Sequence, residues 1–383
     1  MHLNLHNIEL REIEMPLVGS FETSFGIVTS RRILIVKIQD GDGAIGWGEC
    51  TAMNHPFYNH ETIDTAWTII ANYIVPMIRS SKIENAVQIS DALSPIQNNR
   101  MAIAAVETAF WDLEAKKSGV PLWQHLGGQF TEINCGVSIG IQKSPEALIE
   151  VVCREISSGY QRIKLKIKPG QDIEYVKAVR ASYPNILLSV DANSAYRLER
   201  DLKIFHQLDQ FNLLMIEQPL EAGDLLDHAK LQKLLKTPIC LDESITSLRD
   251  ARHALELDAC RIINIKLGRV GGHAEARRIQ AFAKENKTPV WCGGMLETGI
   301  GRAHNIAMST LAGFVLPGDV SASERYWEED IIEPAVTVSP EGKIKVPLLP
   351  GIGYTIKERL IDRLTVRKEQ FSLQSSGAIG LSG

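Results

Sequence analysis

The fold is decided by five short runs of sequence: RIKLKI at residues 162–167, ILLSVDAN at 186–193, LLMIEQP at 213–219, PICLDES at 238–244 and RIINIK at 261–266. Each run gathers isoleucine, leucine or valine within a few residues, and amphipathic segments of helical period lie between the runs. Strands that alternate with helices in this way form βαβ units and a parallel sheet.

Three further runs of the same kind extend this rhythm on either side. Together the predicted strands are Ile133 to Ile139, Arg162 to Ile167, Ile186 to Asp191, Leu213 to Glu217, Pro238 to Asp242, Arg261 to Lys266, Pro289 to Gly293 and Phe314 to Gly318. Helical segments such as 145–157, 172–182 and 273–284 separate them. Eight units predict a closed barrel of the (β/α)₈ type.

The chain before this barrel has a different, α+β pattern. Predicted strands are Leu3 to Met15, Arg32 to Gln39 and Ala44 to Cys50, and predicted helices are Thr62 to Arg79, Ile83 to Leu93 and Asn99 to Lys117. After the barrel, Ala335 to Val346 reads as a hairpin. We therefore expect an N-terminal domain at 1–125, a barrel at 126–324, a segment at 325–371 that returns to the N-terminal domain, and a flexible tail at 372–383.

Composition excludes several classes of protein. The 383 residues carry 41 basic and 46 acidic side chains, a net charge of −5 without a basic stripe, which argues against nucleic-acid binding. No apolar run reaches the roughly 18 residues of a membrane span. No signal peptide is visible, and the six cysteines are far apart, so we expect a cytoplasmic protein with reduced thiols.

The strand ends carry the chemistry. Lys166, Asp191, Glu217, Asp242 and Lys266 each end a predicted strand, and they follow one another at intervals of 25, 26, 25 and 24 residues. An equal interval returns the chain to the same rim of a barrel, where the active sites of such barrels lie. An isolated aspartate after a strand is more often a helix cap. The five together predict one pocket.

The three carboxylates need positive charge, because an unpaired buried ion costs several kcal/mol or more. A divalent cation and the two lysines supply that charge. Since all the candidate ligands are oxygens, they favour Mg²⁺, with Mn²⁺ as a substitute, over Zn²⁺. A nearby cation and burial are expected to lower the lysine pKa and so provide a base. The metal would stabilise the enolate that forms as the base removes a proton beside a carboxylate.

These motifs resemble a known family. They are Lys164-Leu-Lys166, Asp191-Ala-Asn193, Ile216-Glu-Gln-Pro219, Leu241-Asp-Glu-Ser244 and Asn264-Ile-Lys266. Together they resemble the enolase superfamily, muconate-lactonizing subgroup. Within it, residues 293–302 (GGMLETGIGR) are similar to the branch of o-succinylbenzoate synthases and N-acylamino acid racemases. The resemblance implies an α/β fold, a (β/α)₇β TIM-type barrel closed by an α+β capping domain.

The resemblance also implies roles for single residues. Asp191, Glu217 and Asp242 would bind Mg²⁺. Asn193 would contact these ligands without binding the ion itself. Lys166 would be the base, and Lys266 would stabilise the enolate from the opposite face or act as a second base. A mobile loop near the N-terminus corresponds to residues 21–26. The substrate-facing positions would be Phe21, Met53, Tyr58, Ser138, Lys164, Leu296 and Tyr326.

Three functions stay open on the sequence. The branch implies Mg²⁺-dependent dehydration of 2-succinyl-6-hydroxy-2,4-cyclohexadiene-1-carboxylate to 2-succinylbenzoate in menaquinone biosynthesis, or racemisation of N-succinyl and other N-acylamino acids. A catalytically silent scaffold is the third, although a scaffold gains nothing from three buried carboxylates. Relatives commonly form homo-oligomers. Asp319, which follows the last predicted strand, reads as a cap or loop residue.

Overall fold

The protein is described by a computed structural model over residues 3–373. Met1, His2 and residues 374–383 lie outside the described residues, and so does the predicted tail apart from Ser372 and Leu373. Within the described residues, no helix has the length and apolar character needed to cross a membrane.

An antiparallel sheet forms the first layer. Its strands are β1 (Leu5–Thr23), β2 (Gly26–Asp40) and β3 (Ile45–Cys50). β1 and β2 are longer than predicted, because their pairing resumes beyond a register shift between Pro16 and Phe21 and continues to the pair Thr23 and Gly26. Residues 21–26 are therefore the tip of a long β-hairpin. The apolar alternation that the sequence shows is lost where this tip projects beyond the core.

Helices cover this sheet. They are α1 (Ile63–Ile69), a π-helical turn (Ile70–Ile74), α2 (Val75–Ser80), α3 (Ala86–Ala92), α4 (Arg100–Lys117) and α5 (Leu122–His125). α4 is buried on most sides because it packs between β3 and the barrel. Gly48 on β3 permits this approach, since a Cβ there would lie 2.0 Å from the carbonyl oxygen of Ala105.

The barrel follows as alternating strands and helices. The short strand β4 (Glu132–Asn134) comes before the barrel sheet. The barrel elements are β5 (Gly136–Ile139), α6 (Pro145–Ser157), β6 (Arg162–Lys166), α7 (Ile173–Ser182), β7 (Leu187–Asp191), α8 (Leu198–Leu208), β8 (Ile216–Glu217), α9 (Leu225–Leu234), β9 (Ile239–Leu241), α10 (Leu248–Glu256), β10 (Ile262–Ile265), α11 (Leu267–Val270), α12 (His273–Glu285), β11 (Val290–Cys292) and α13 (Gly299–Ser309). β5 to β11 form one parallel sheet in chain order. This is the predicted (β/α)₇β barrel of TIM type with an α+β cap.

The eighth predicted run, 314–318, closes the barrel without forming a regular strand. Phe314 makes a parallel bridge to Val290 on the last strand, and Gly318 makes one to Cys135 beside the first. The backbone N–H of Gly136 donates to the carbonyl oxygen of Gly318 at 2.6 Å. The ring is therefore completed by single bridges, and the predicted strand is confirmed only as a closing segment.

The C-terminal segment returns to the first layer. It contains β12 (Ile332–Glu333), β13 (Lys343–Lys345), β14 (Thr355–Ile356), α14 (Glu358–Leu364) and β15 (Thr365–Ser372). β15 pairs antiparallel with β1 and completes the sheet order β15-β1-β2-β3. The hairpin predicted at 335–346 is wrong in its pairing. A turn joins Ser339 to Lys343, but β13 pairs with β4 and not with residues 335–338.

Candidate active site

The register of the parallel sheet places the charged residues at one level. Lys166 on β6 is aligned with Asp191 on β7, which is in turn aligned with Glu217 on β8. Asp242 directly follows β9, and Lys266 directly follows β10. Because these strands are parallel, all five residues lie at the C-terminal end of the barrel. The structure thus brings together the residues that the spacing predicts to meet.

One half of the site is centred on the lysines of β6. Lys166 Nζ lies 2.6 Å from Asp191 Oδ2, and Lys164 Nζ lies 2.8 Å from Glu217 Oε2 and 3.3 Å from Asp191 Oδ2. Burial favours the neutral form of Asp191, but the ammonium groups of Lys166 and Lys164 outweigh it and hold its pKa below the usual range. Burial and the charge of Asp191 raise the pKa of Glu217.

The other half is centred on Lys266. Its Nζ lies 2.8 Å from Asp242 Oδ2, 3.2 Å from the hydroxyl of Tyr58 and 4.6 Å from the centre of the Tyr58 ring. The guanidinium of Arg269 also pairs with Asp242. Burial favours the neutral amine, but Tyr58 and the nearby carboxylates outweigh it and raise the pKa of Lys266. The predicted lowering of the lysine pKa assumes a bound cation beside the amine and stays a prediction.

Asp319 makes ion pairs that the sequence analysis does not predict. Its carboxylate lies 2.6 Å from Lys164 Nζ and 2.7 Å from the guanidinium of Arg162, and its side chain is only 6% exposed. It is therefore a loop residue, as predicted, whose buried side chain forms ion pairs with both cations. The sequence could not show this, because the two cations that face Asp319 come from β6, more than 150 residues earlier.

The predicted substrate-facing residues line one cavity. It lies between the barrel mouth and the capping domain, and its walls include Phe21, Met53, Tyr58, Ser138, Lys164, Leu296 and Tyr326, together with Lys166, Lys266 and Asn193. Phe21 packs edge-on against Tyr326, with ring centres 6.4 Å apart. The hairpin tip therefore forms part of the cavity wall. What each of these residues does to a substrate stays a prediction.

Unusual backbone conformations are found at the strand ends. Asn193, Ser194, Gln218 and Leu296 all have left-handed φ values, of 41°, 64°, 37° and 58°. Non-glycine residues rarely adopt these values, and such strain gathers at functional sites when the surrounding structure enforces it. Leu296 lies in the segment 293–302 that carries the family resemblance, so that segment has a constrained shape at the cavity.

The structure also assigns contacts to residues that the sequence analysis did not single out. Gln218 is buried, and its Oε1 accepts hydrogen bonds from the backbone N–H groups of Asp242, at 2.9 Å, and Ser244, at 3.2 Å. Glu243 accepts a hydrogen bond from Asn193 at 2.9 Å. Gln218 follows the predicted ligand Glu217, and Glu243 follows the predicted ligand Asp242. Their position beside a ligand is the sequence feature that could have identified them.

The donor set fits the chemistry of a hard divalent cation. Asp191, Glu217 and Asp242 are fully buried, supply only oxygen and end three consecutive strands. Their positive partners are Lys164, Lys166, Lys266 and Arg269. Among the described residues, no group of three or more histidine, cysteine or acidic side chains is arranged around one point as metal ligands are. The metal-ligand assignment therefore stays a prediction.

Two family models match the chain. An enolase C-terminal domain-like model matches residues 147–360, and a model of the mandelate racemase/muconate lactonizing enzyme N-terminal domain matches residues 7–127. The two matches cover most of the barrel and of the capping region.

Curated relatives are similar over almost the whole chain. An o-succinylbenzoate synthase of Geobacillus kaustophilus is 51% identical over 95% of this chain and 97% of its own length. An N-succinylamino acid racemase of Thermus thermophilus is 47% identical over 97% of this chain and 100% of its own length. Relatives with both names thus match at similar identity.

Solved structures share the fold. An enolase superfamily member from Listeria innocua superposes with a TM-score of 0.94 at 43% identity, covering 97% of this chain and 100% of that one. A dipeptide epimerase from Cytophaga hutchinsonii, solved in complex with Mg and the dipeptide D-Ala-L-Val, gives a TM-score of 0.85 at 24% identity, covering 97% of this chain and 100% of that one. The second likeness shows the fold alone.

Proposed function

The chain belongs to the enolase superfamily, and from that membership we propose that it is a Mg²⁺-dependent o-succinylbenzoate synthase. The reaction dehydrates 2-succinyl-6-hydroxy-2,4-cyclohexadiene-1-carboxylate to 2-succinylbenzoate, a step of menaquinone biosynthesis. Relatives from Geobacillus, Bacillus subtilis and Listeria innocua carry the synthase name at 43–51% identity over most of this chain.

The observation that carries the proposal is the pair of lysines in one cavity. Lys166 comes from β6 and Lys266 from the end of β10, and three strands of the sheet lie between β6 and β10. Both ammonium groups reach the same cavity lining. A carbon acid held between them would have one lysine on each side of the carbon that loses its proton, which suits proton removal on one side and charge stabilisation on the other.

We propose that Asp191, Glu217 and Asp242 hold Mg²⁺, with Mn²⁺ able to substitute. The charge balance supports this. When ionised, the carboxylates of Asp191, Glu217, Asp242, Glu243 and Asp319 match the cations of Arg162, Lys164, Lys166, Lys266 and Arg269. A substrate with two carboxylates and a divalent cation together add no net charge to this set, so they can enter as a pair. When bound, Mg²⁺ would supply electrostatic stabilisation of the negative charge that develops on the substrate carboxylate.

In this proposal Lys166 performs both proton transfers of the dehydration. Its neutral amine takes the proton from the carbon beside the ring carboxylate, and the electron pair of that C–H bond moves toward the carboxylate. The same proton then goes to the leaving hydroxyl, which departs as water while the ring becomes aromatic. Lys266 stays protonated and balances the negative charge from the opposite face, a role that agrees with the raised pKa of its amine.

The cavity wall supports a substrate with an apolar ring and polar ends. Phe21, Met53, Leu296 and Tyr326 supply apolar surface, while Lys164 and the hydroxyl of Ser138 supply polar contacts. The Ser138 hydroxyl is buried and has no hydrogen-bond partner among the described residues. We propose that this hydroxyl and the Lys164 ammonium contact carboxylate or carbonyl oxygens of the substrate, and that Tyr58 and the apolar residues hold its carbon frame.

Racemisation of N-succinylamino acids is the second candidate activity. The Thermus thermophilus and Amycolatopsis relatives carry that name at 47% and 44% identity. The same two lysines suit it, because a neutral lysine on one face can take the α-proton while the protonated lysine on the opposite face delivers a proton to the same carbon, which gives the other enantiomer. We propose that one site performs both reactions, since each substrate presents a carboxylate and a succinyl group.

The test uses purified protein with Mg²⁺. Formation of 2-succinylbenzoate from the cyclohexadiene substrate, lost with a chelator and restored by Mg²⁺, is the expected result, and absence of turnover would contradict the proposal. Proton NMR in D₂O with an N-succinylamino acid examines the second activity: loss of the α-proton signal together with optical rotation indicates racemisation. Exchange in a protein that lacks dehydration would make racemisation the main function.

We further propose a cytoplasmic enzyme that acts as a homo-oligomer and binds neither nucleic acid nor membrane. The six cysteines are all unpaired, and five of them are buried, which agrees with a reducing compartment. The net charge of −5 agrees with the absence of a nucleic-acid partner.

A further inference from the structure

Asn193 joins the proposed base to a carboxylate that the mechanism does not use. Its Oδ1 accepts a hydrogen bond from Lys166 Nζ at 2.7 Å, and its Nδ2 donates to Glu243 Oε1 at 2.9 Å. Its backbone N–H donates to Asp191 Oδ1 at 3.0 Å. Asn193 is only 8% exposed and holds a left-handed φ of 41°. The side-chain amide is thus fixed at both ends, between an ammonium and a carboxylate.

The two ends of this amide are not interchangeable. An ammonium only donates hydrogen bonds, and an ionised carboxylate only accepts them. If the amide turned over, its NH₂ group would face the ammonium of Lys166 and its oxygen would face the carboxylate of Glu243, which replaces two hydrogen bonds with two repulsive contacts. When ionised, the carboxylate of Glu243 therefore selects the amide orientation that offers Lys166 an acceptor.

Besides this hydrogen bond, Glu243 favours the ammonium form of Lys266 through its charge, and it has no capping role in the described structure. Helix α10 begins at Leu248 and is capped by the hydroxyl of Ser247, so Glu243 does not cap it. The second oxygen of Glu243, Oε2, is buried and has no hydrogen-bond partner among the described residues. A buried carboxylate costs free energy unless its interactions repay the loss of water. The hydrogen bond to Asn193 is the one that the described structure gives this side chain with another residue.

We propose that Glu243 is a positioning residue for Lys166 and acts through the side-chain amide of Asn193. The chain Glu243–Asn193–Lys166 holds the ammonium of Lys166 at a fixed place beside Asp191, from which it reaches the cavity. The inference rests on the proposed function only in taking Lys166 as the base. It adds a residue to the machinery and leaves the identity of the substrate unchanged.

The first experiment is the Glu243→Gln variant, which keeps the size of the side chain. A glutamine can offer its own NH₂ to Asn193 and so permits the reversed amide. Loss of an orienting partner behind a reactive group typically costs about 10- to 100-fold in activity. We expect a fall of that size in kcat, with KM, Mg²⁺ affinity and melting temperature close to those of the wild type. A kcat within twofold of the wild type would overturn the proposal.

The matched control is Glu221→Gln, which makes the same chemical change at a side chain that is 68% exposed on the loop after β8. It should leave kcat unchanged. If both variants lost activity equally, the effect of Glu243→Gln would follow from the lost charge near the barrel mouth and not from the position of Lys166, and the proposal would fail.

A double-mutant cycle tests the route through Asn193. If Glu243 acts only by orienting that amide, Glu243→Gln should cause no further loss of kcat in an Asn193→Ala background. Residues that act as one unit show such non-additive effects. Independent, multiplying losses would show that Glu243 acts by another route and would contradict the inference.

A crystal structure of the Glu243→Gln variant needs no substrate and so separates this inference from the proposed function. We expect the Lys166 ammonium to leave its place beside Asn193 Oδ1. An unmoved ammonium, still about 2.7 Å from that oxygen, would overturn the inference even in an active enzyme. Inactivity of the wild-type protein toward both proposed substrates would instead contradict the proposed function, while the crystal structure would still decide the role of Glu243.

Discussion

Buried charges at single residues determine what this site can do. Lys164 and Lys166 lie two residues apart on β6 and point to the same side of the strand, but their partners differ. Lys164 faces the carboxylates of Glu217, Asp191 and Asp319, whereas Lys166 faces Asp191 and the amide of Asn193. Burial disfavours the charge of Lys164, but its three carboxylates raise its pKa. Lys164 is therefore held in its charged form by three carboxylates, whereas the proposed base, Lys166, pairs with Asp191 alone among the carboxylates of the described residues.

The first prediction concerns Lys166→Ala. A positioned base contributes about 10²- to 10⁴-fold to a rate, so we expect the dehydration rate to fall by at least that factor. Mg²⁺ affinity measured by calorimetry should stay close to the wild-type value, because the three carboxylates remain. Dehydration that survives this substitution would remove Lys166 from the role of base.

The second prediction concerns Asp319→Ala. Removing this carboxylate leaves the guanidinium of Arg162, which is fully buried, without its ionic partner. Breaking a buried ion pair in this way costs about 3–5 kcal/mol, and we expect a loss of that size in the free energy of unfolding by urea. The control is Asp362→Ala, whose partner is Arg11 but whose side chain is 60% exposed, and it should cost at most about 1 kcal/mol. Equal losses in the two variants would contradict the buried role of Asp319.

Residue spacing predicts which strand ends meet, but it does not predict which charges pair. The interval of 24–26 residues identified Lys166, Asp191, Glu217, Asp242 and Lys266, because each βα unit returns the chain to the same rim. It did not identify the partners that reach across the barrel. Asp319 pairs with Lys164 over 155 positions of sequence, and side-chain rotamers decide such contacts after the backbone is in place.

At the level of elements, a side chain of the capping region caps the N-terminus of a barrel helix. Helix α12 of the barrel begins after Gly272, which has no side chain to cap it. The free N–H groups of His273 and Ala274 instead donate to Glu107 on α4, at 2.8 and 2.9 Å. Helix α4 of the capping region thus supplies the side chain that caps the N-terminus of barrel helix α12. Burial raises the pKa of Glu107 to about 7.

The third prediction follows from this contact. Glu107→Ala leaves two buried backbone donors unpaired, and each costs about 1–3 kcal/mol, so we expect a loss of at least about 2 kcal/mol in the free energy of unfolding. Glu150→Ala, at an exposed site on α6, should change it by less than about 0.5 kcal/mol. Equal stability of the two variants would show that α12 does not depend on Glu107.

The elements themselves were predicted unevenly. Helix α6 was predicted at its observed bounds, because a serine cap and a proline mark its start. The β1–β2 hairpin was underestimated, since the pattern ends near Met15 while the pairing runs on to Thr23. Hydrogen bonds extend that hairpin beyond the apolar core, and apolar periodicity does not report them.

At the scale of the whole molecule, the last described strand, β15, pairs with the first strand, β1. We propose that residues 1–125 and 325–371 form one capping domain and that residues 126–324 form the barrel. The pairing of β15 with β1, from Asn7 with Ser372 to Ile13 with Thr365, supports this division. Such a long-range return leaves no local signal in the sequence beyond the end of the βα rhythm.

The fourth prediction tests this return. A chain that stops after Leu364 lacks β15 and leaves the outer edge of β1 unpaired. We expect its melting temperature to fall by at least about 4 °C. At roughly 2–4 °C for each kcal/mol in a domain of this size, this corresponds to a loss of about 1–2 kcal/mol in the free energy of unfolding. A chain that stops after Leu373 keeps every described strand and serves as the control. Equal melting temperatures would show that β15 does not stabilise the cap.

The central claim is that Asp191, Glu217 and Asp242 take up one divalent ion between the two lysines. Anomalous diffraction from crystals soaked in Mn²⁺ measures this most directly. We predict one strong peak in contact with a carboxylate oxygen of each of the three residues, and its loss in Glu217→Gln. A peak at another place, or none at saturating Mn²⁺ with the lysines still paired to the carboxylates, would contradict the account.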